Sequence, residues 1–346
     1  MKLLPFFLIW TIFFLSWCFY DIKVQDSKPE KTVNNEPIEG EVQENTPVRT
    51  EVWVQLSESD VTVSTWITWL DVPWSLVFLD DDTALVTERW GQITKISKGE
   101  KQESIYFEVP SVEYGEWGLL GIEKDPNYEN NKYIYVMYMY LSSTDKYKER
   151  IIRLIDEWKT AREDITLIDN IPAAKYHNGG RIKFWPDWKL YITTWDALDP
   201  NIAQDMQSLW GKILRLNSDG SIPSDNPFPD SPIYTLWHRN PQGITWEPNS
   251  WDAFISTHGP SGEFLLTARD RIDHLKSWAN YGWPIVAGYS ENYEDPLAYW
   301  PDKATPPSGM TFWNNSLFVA TLKSEALVQL HVEPSWNTWQ LLSENR

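Results

Sequence analysis

The chain has 346 residues, with 49 acidic and 30 basic side chains and a formal net charge of −19. That length allows one large domain or two small ones, and the charge argues against a nucleic-acid partner, because phosphate binding needs clustered Lys and Arg. Tryptophan occurs 22 times and glycine only 16, an inversion of ordinary usage, in which glycine makes up about 7% of residues.

The N-terminus, MKLLPFFLIWTIFFLSWCFY, has a basic residue, an apolar run and then Cys18, the only cysteine. It reads as a secretory signal. With glycine in place of Trp17 the run Leu-Ser-Gly-Cys resembles a bacterial lipobox. Residues 1–17 are therefore expected to be a lipoprotein signal, with Cys18 lipidated and the protein held at the membrane on the extracytoplasmic side. An uncleaved anchor over residues 3–20 is the alternative, at the lower length limit for a span. Residues 18–51 are polar, acidic and dotted with proline, too poor in apolar side chains to form a core, and read as a disordered tether.

From residue 52 to 346 the pattern becomes short β-rich runs, at 84–87, 92–96, 132–140, 151–155, 189–194, 253–256, 316–322 and 326–332, separated by turn residues. No long amphipathic helix is evident, so the domain is expected to be all-β: a sandwich, barrel or propeller. Roughly 290 residues divided into six units of about 48 fits four-stranded propeller blades.

The run RIKFWPDWKLYITTWDA (181–197) reads as a hairpin. Its turn needs a residue at positive φ near position 188, where glycine sits freely and a bulky residue at a cost of about 1 kcal/mol or more. Trp158, Trp251 and Trp90 also fall at turns between strand-like runs. Two explanations remain open on composition: a tryptophan-rich chain with aromatic binding surfaces, or glycines written as tryptophan because a stop codon recoded as glycine has been read as Trp.

Three polar clusters stand at strand ends: Tyr176-His177-Asn178-Gly179-Gly180-Arg181, His238-Arg239-Asn240-Pro241-Gln242-Gly243 and His258-Gly259-Pro260-Ser261-Gly262. A propeller gathers such loops around its channel. Together the clusters could supply a base, a carboxylate to orient it, a cation for developing negative charge and backbone carbonyls for a hard metal.

In order along residues 70–331, LDVPWSLVFL, ALVTER, GLLGIEKDPNYENNKYIYVMY, HNGGRIKF, GKILRLNSDGSIPSDNPF, HRNPQGITW, HGPSG, NYGWP and PSGM resemble the soluble pyrroloquinoline quinone (PQQ)-dependent glucose dehydrogenases, the glucose/sorbosone or aldose sugar dehydrogenase family. The resemblance implies a six-bladed β-propeller that binds PQQ and calcium, oxidises an aldose at its anomeric carbon and passes electrons to an external acceptor. His177 matches the family's base, Asp196 the carboxylate that orients it and Arg239 the cation near the reacting oxygens. Asn240 matches a PQQ contact, and Gly259 and Pro260 the carbonyls that hold calcium. Glu116, Tyr281, Trp283 and Lys323 are further candidates for cofactor contacts.

The resemblance also bears on the tryptophans. Positions 69, 117, 185, 188, 195, 237, 251 and 278 are glycine in typical members, whereas Trp74 and Trp283 match true tryptophans. Two departures stand out: Arg271 lies where the family usually has Glu, and the chain stops early, so the last blade is expected to be incomplete. Two other functions compete with the dehydrogenase, a non-catalytic extracellular propeller and a calcium-dependent propeller hydrolase of the lactonase kind.

Overall fold

The computed structural model describes residues 65–345 apart from 113–114, 116–117, 177–178, 197–198, 263–264 and 336–337. The expected signal, lipid anchor and tether lie outside the described residues. No helix among the described residues is long and apolar enough to cross a membrane.

Five antiparallel sheets follow one another along the chain. The first is built on Pro73–Phe78, Thr83–Glu88 and Gln92–Ser97, with short strands Glu100–Lys101 and Phe107–Glu108 both paired to the third. The second comprises Leu119–Lys124, Tyr133–Leu141, Tyr147–Asp156 and Ala161–Pro172. The third comprises Ile182–Phe184, Leu190–Thr193, Lys212–Leu216 and Ile233–Leu236, and the fourth Asn240–Trp246, Ala253–His258, Asp270–Leu275 and Ala298–Trp300. The fifth comprises Pro307–Trp313, Ser316–Thr321, Leu327–Ser335 and Thr338–Asn345. In each sheet successive strands pair with their sequence neighbours, the meander of a propeller blade.

The blade-like sheets agree with the sequence reading, but their number does not reach six among the described residues. The fifth sheet has all four strands, and no sixth sheet, complete or partial, occurs among the described residues. The second sheet alone spans residues 119–172, longer than the unit of about 48 residues that division by length assumed. No strand of the fifth sheet pairs with the first among the described residues.

Strand periodicity explains the packing. In Tyr133–Leu141 alternate residues leave opposite faces of the sheet, so Ile134, Val136 and Tyr138 join one apolar cluster with Leu85 and Ile93 of the first sheet. Tyr135 and Met137 point the other way and join Ile192 and Leu214 of the third. Equivalent layers unite the third and fourth sheets through Tyr191, Ile213, Ile244 and Ile255, and the fourth and fifth through Phe254, Ile272, Leu317 and Leu330. Each such side chain contributes about 1.5–3 kcal/mol of burial.

The hairpin at 182–193 forms as expected, with Phe184 opposite Leu190. Trp188 N donates to Trp185 O at 2.8 Å and Lys189 N to Asp187 Oδ1 at 2.9 Å, which holds Trp188 at φ 65°. The same left-handed backbone occurs at Trp69, Trp158, Trp237, Trp251 and Trp278, with φ between 64° and 76°. For an L-residue with a Cβ this costs roughly 1–2 kcal/mol.

One buried carboxyl stands without a hydrogen-bond partner. Glu149, fully buried in the second sheet opposite Met139 and Ile171, has both carboxylate oxygens without a hydrogen-bond partner. Burial alone pushes its carboxyl well above the usual range. The folded protein therefore keeps a proton that the unfolded chain releases above its ordinary value near 4.5, so stability falls as pH rises from there toward the folded-state pKa. Glu149→Met is expected to raise stability at pH 7 by about 1–3 kcal/mol and to flatten this slope in urea unfolding followed from pH 4 to 8.

Candidate active site

The N-terminal ends of the inner strands and the loops beside them enclose a cavity of about 570 Å³. Arg89 reaches it from the end of the second strand, Arg239 and Asn240 from the start of the fourth sheet, and Lys323 from the loop after Ser316–Thr321. Gly259 and Pro260 line it beside Asp270. Among the described residues, three cations thus face one carboxylate, in a protein that is strongly acidic as a whole.

The local geometry explains the glycines and polar pairs of the motifs. Gly179 and Gly180 have φ of 40° and 83°, and a Cβ on Gly179 would lie 2.8 Å from Thr193 O. Gly179 N donates to Asn240 Oδ1 at 3.3 Å, and Gln242 Nε2 donates to the same oxygen at 2.8 Å. Asn240 Nδ2 lies 3.4 Å from His258 Nδ1, as their register pairing requires. A Cβ on Gly259 would lie 2.0 Å from Ala268 O, so only glycine fits there.

Asp196 follows the strand Leu190–Thr193 and is almost fully buried. Its N–H donates to Arg239 O at 2.9 Å, and Trp283 Nε1 donates to its Oδ2 at 2.8 Å. Arg239 donates from Nη1 to His258 O at 3.3 Å and stands 5.8 Å from the Trp283 ring centre. These contacts bring three of the sequence-derived candidates, Asp196, Arg239 and Trp283, into one cluster, with Asn240 on the cavity side. Gln204 Nε2 fixes the same tryptophan from below, donating to Trp283 O at 2.5 Å.

The other candidates divide. Lys323, Gly259 and Pro260 line the cavity. Tyr281 stands behind it: its hydroxyl donates to His274 O at 2.8 Å, accepts from Lys276 N at 2.9 Å, and its ring lies against His238 at 4.6 Å. His177 and Glu116 lie outside the described residues.

Three groups were missed. Asp270 accepts from Gly259 N at 2.9 Å and from Thr305 N at 2.7 Å, clamping the Gly259–Pro260 turn to the neighbouring loop. Burial raises its carboxyl, while these two N–H donors, Arg239 and Lys323 oppose the rise. Arg89 lines the cavity with a buried Nε that has no hydrogen-bond partner; its place just after a strand, in ALVTER, was the available signal. Arg181, just before the inner strand of the third sheet, donates to Ser75 Oγ of the first sheet at 2.8 Å and to Gln242 O of the fourth at 3.1 Å. It stacks 4.1 Å from the Trp74 ring centre, and burial pushes its guanidinium down to about 10.

A carboxylate accepting an indole N–H in a buried setting is worth about 1.5–3 kcal/mol. A double-mutant cycle of Trp283→Phe with Asp196→Asn, read by urea unfolding, is expected to return a coupling of about 1.5 kcal/mol.

Comparison with known proteins adds a family to this geometry. The sequence profile of the Glucose / Sorbosone dehydrogenase family matches residues 70–345. The chain is 35% identical over 256 residues to quinoprotein glucose dehydrogenase B of Acinetobacter calcoaceticus, covering 64% of this chain and 52% of that protein. It is 30% identical over 298 residues to an aldose sugar dehydrogenase of Escherichia coli K12, covering 76% of this chain and 78% of that one. It thus spans about half the length of the first relative and most of the second. The structure of the PQQ-bound aldose sugar dehydrogenase of Streptomyces coelicolor superimposes with a TM-score of 0.73 at 34% identity, over 82% of this chain and 83% of that one.

Proposed function

The chain belongs to the Glucose / Sorbosone dehydrogenase family, and on that premise we propose that it is a PQQ- and calcium-dependent aldose dehydrogenase. The observation that carries this reading is the cationic cavity. Arg89, Arg239 and Lys323 converge on a space of about 570 Å³, and the unpartnered Arg89 Nε is a buried donor awaiting an acceptor. This donor set suits a planar polycarboxylate such as PQQ. Among the described residues no cluster of three or more His, Cys, Asp or Glu could hold a metal. Calcium would instead take the carbonyl oxygens of Gly259 and Pro260, hard ligands suited to it.

When bound, PQQ supplies the acceptor for a hydride, and calcium polarises its quinone carbonyl. The chain's own residues do the rest. His177 takes the proton of the anomeric hydroxyl as the C1 hydrogen leaves with its electron pair, and the sugar becomes a lactone. Asp196 orients and charges that histidine, and is itself held by the Trp283 indole and by its own main-chain bond to Arg239. Arg239 places positive charge beside the oxygen that becomes negative. The two electrons then pass to an external quinone or small carrier. The enzyme works outside the cytoplasm, held at the membrane through lipid on Cys18.

The test is PQQ-dependent dye reduction with a panel of aldoses in calcium, together with PQQ binding to the apo protein. Activity is expected with at least one aldose. His177→Ala is expected to lower kcat by about 10²-fold or more while PQQ still binds, and Arg89→Ala to weaken PQQ binding. A folded protein that neither binds PQQ nor reduces dye would instead be a non-catalytic propeller module.

A further inference from the structure

Six tryptophans share one backbone state. Of the turn and glycine-like motif positions noted in the sequence, 69, 158, 188, 237, 251 and 278 have φ between 64° and 76°, whereas Trp90, Trp185 and Trp195, also noted there, do not have positive φ and stand outside this class. Trp66, Trp74, Trp210, Trp246, Trp283, Trp300, Trp313 and Trp339 were not assigned to glycine, and none of them has positive φ. The first class also gains little from its side chains. The indoles of Trp69 and Trp158 are 91% and 74% exposed, and those of Trp188, Trp251 and Trp278 are also exposed. Trp237 is the one that packs inward, and its Nε1 is buried without a partner. In the second class Trp283 donates to Asp196, Trp300 donates to Glu344 at 2.9 Å, and Trp339 packs in the core.

A tryptophan-rich binding surface has no reason to select left-handed backbone, a conformation that glycine adopts freely. We propose that residues 69, 158, 188, 237, 251 and 278 are glycine in the protein as its host makes it, a codon written here as Trp being decoded as Gly. Position 237 links this to the site, because Trp237 borders the small hollow behind Arg239, His258 and Trp283.

Peptide mass spectrometry of the protein purified from its own host decides the matter. Glycine at the six positions with tryptophan retained at 283 and 339 is the expected result, and tryptophan at the six overturns the proposal. A recombinant comparison reports on the physics: each exposed Trp→Gly change, such as Trp251→Gly, is expected to shift the folding equilibrium about 5-fold or more toward the folded state. Trp339→Gly is expected to shift it the other way. Equal destabilisation in both classes would remove the backbone argument.

A separate observation concerns Lys212. Its side chain is completely buried, and its Nζ donates to Trp210 O at 2.5 Å, Ala203 O at 2.8 Å and Ile202 O at 3.3 Å. Among the described residues no carboxylate lies within ion-pair distance of it. All three acceptors belong to the connection between Thr193 and Lys212, which begins at the Asp196 turn and also carries Gln204, the residue bonded to Trp283 O. Ala203 packs on Trp283. The main chain closes the same loop, since Thr194 N donates to Lys212 O at 3.0 Å and Lys212 N to Thr194 Oγ1 at 3.2 Å. Burial pushes the ammonium down to about 7, and the Asp205 carboxylate opposes the fall.

We infer that Lys212 is a positioning residue for the dehydrogenase reading above: it ties down the loop that holds the Trp283 indole against Asp196. The test compares Lys212→Met and Gln204→Ala with the parent chain, by hydrogen exchange of the apo protein and by steady-state kinetics. In Lys212→Met, exchange is expected to accelerate at Ile202 and Asp205, whose amides close the turn onto Asp199 and Ile202, with the strand Tyr133–Leu141 unchanged. The kcat is expected to fall about 10-fold or more with KM within about 2-fold, as a small misplacement of catalytic groups does. Gln204→Ala is expected to lower kcat in the same direction with all sheets protected, and it decides the matter if Lys212→Met does not fold. An unchanged kcat in a variant whose loop has loosened overturns the inference, as does loss of protection spread over every sheet. In a chain without dehydrogenase activity the exchange data stand alone: a loop that stays protected in Lys212→Met overturns the inference, whereas selective loosening retains the clamp and removes only the function reading.

Discussion

The main-chain hydrogen bond from Asp196 N to Arg239 O ties together much of the rest of the site. Each sheet satisfies its own backbone through antiparallel ladders, so nothing inside one sheet dictates how it stands against the next. The bonds that cross between the third and fourth sheets do that, Asp196 N to Arg239 O at 2.9 Å and Gly179 N to Asn240 Oδ1 at 3.3 Å. They set the distance between a carboxylate on one blade and a guanidinium on the next. Placement of these candidate site residues thereby becomes a property of blade docking rather than of any single loop, in line with the general preference for sites built on rigid elements.

The electrostatics follow from this convergence. An acidic protein of net charge −19 repels anions over most of its surface, and at one mouth of the channel Arg89, Arg239 and Lys323 reverse that sign. A concave site with low-dielectric walls focuses such a local field. Asp270 is the counterweight. Its two oxygens are occupied by the backbone N–H groups of Gly259 and Thr305, so it shapes the rim while only partly offsetting the cations. Arg181 braces the inner strands of the first, third and fourth sheets through Ser75 and Gln242.

Much of this was legible in the sequence, for definite physical reasons. The hairpins at 84–97, 182–193 and 316–332 were readable because apolar and β-branched residues recur along each strand and turn residues punctuate it, and they form where expected. Asp196, Arg239, Asn240, Lys323 and the Gly259–Pro260 turn all belong to the same region, because motif residues at strand ends are gathered by the blades. Tyr281 carried the same motif signal and lies behind the cavity, since a strand-end tyrosine can equally cap its own sheet, as its bonds to His274 and Lys276 show. Arg89 was passed over although it stood just after a strand, and Asp270 because its role lies in contacts with the Gly259 and Thr305 amides, distant in sequence, that no local pattern encodes. Connection lengths vary between blades, so length alone does not fix the number of blades.

The turn at 185–189 shows where local residue identity gives way to the rest of the fold. The pairing of Phe184 with Leu190, the bond from Trp188 N to Trp185 O and the Asp187 cap on Lys189 together determine the path of the chain. Asp187 is fixed in turn by Arg215 at 2.9 Å. Whatever residue occupies position 188 inherits φ near 65°, because changing it would cost several of these bonds while keeping it costs only about 1–2 kcal/mol. Natural sequences tend to agree with their fold at each local level, yet among the described residues six tryptophans outside the strands occupy left-handed backbone, alongside twelve other non-glycine residues such as Val72 and Leu265. Bulky indoles repeated in the conformation that glycine adopts freely, on blades that otherwise pack normally, point to the lettering of those residues rather than to a fold that stores strain for its function.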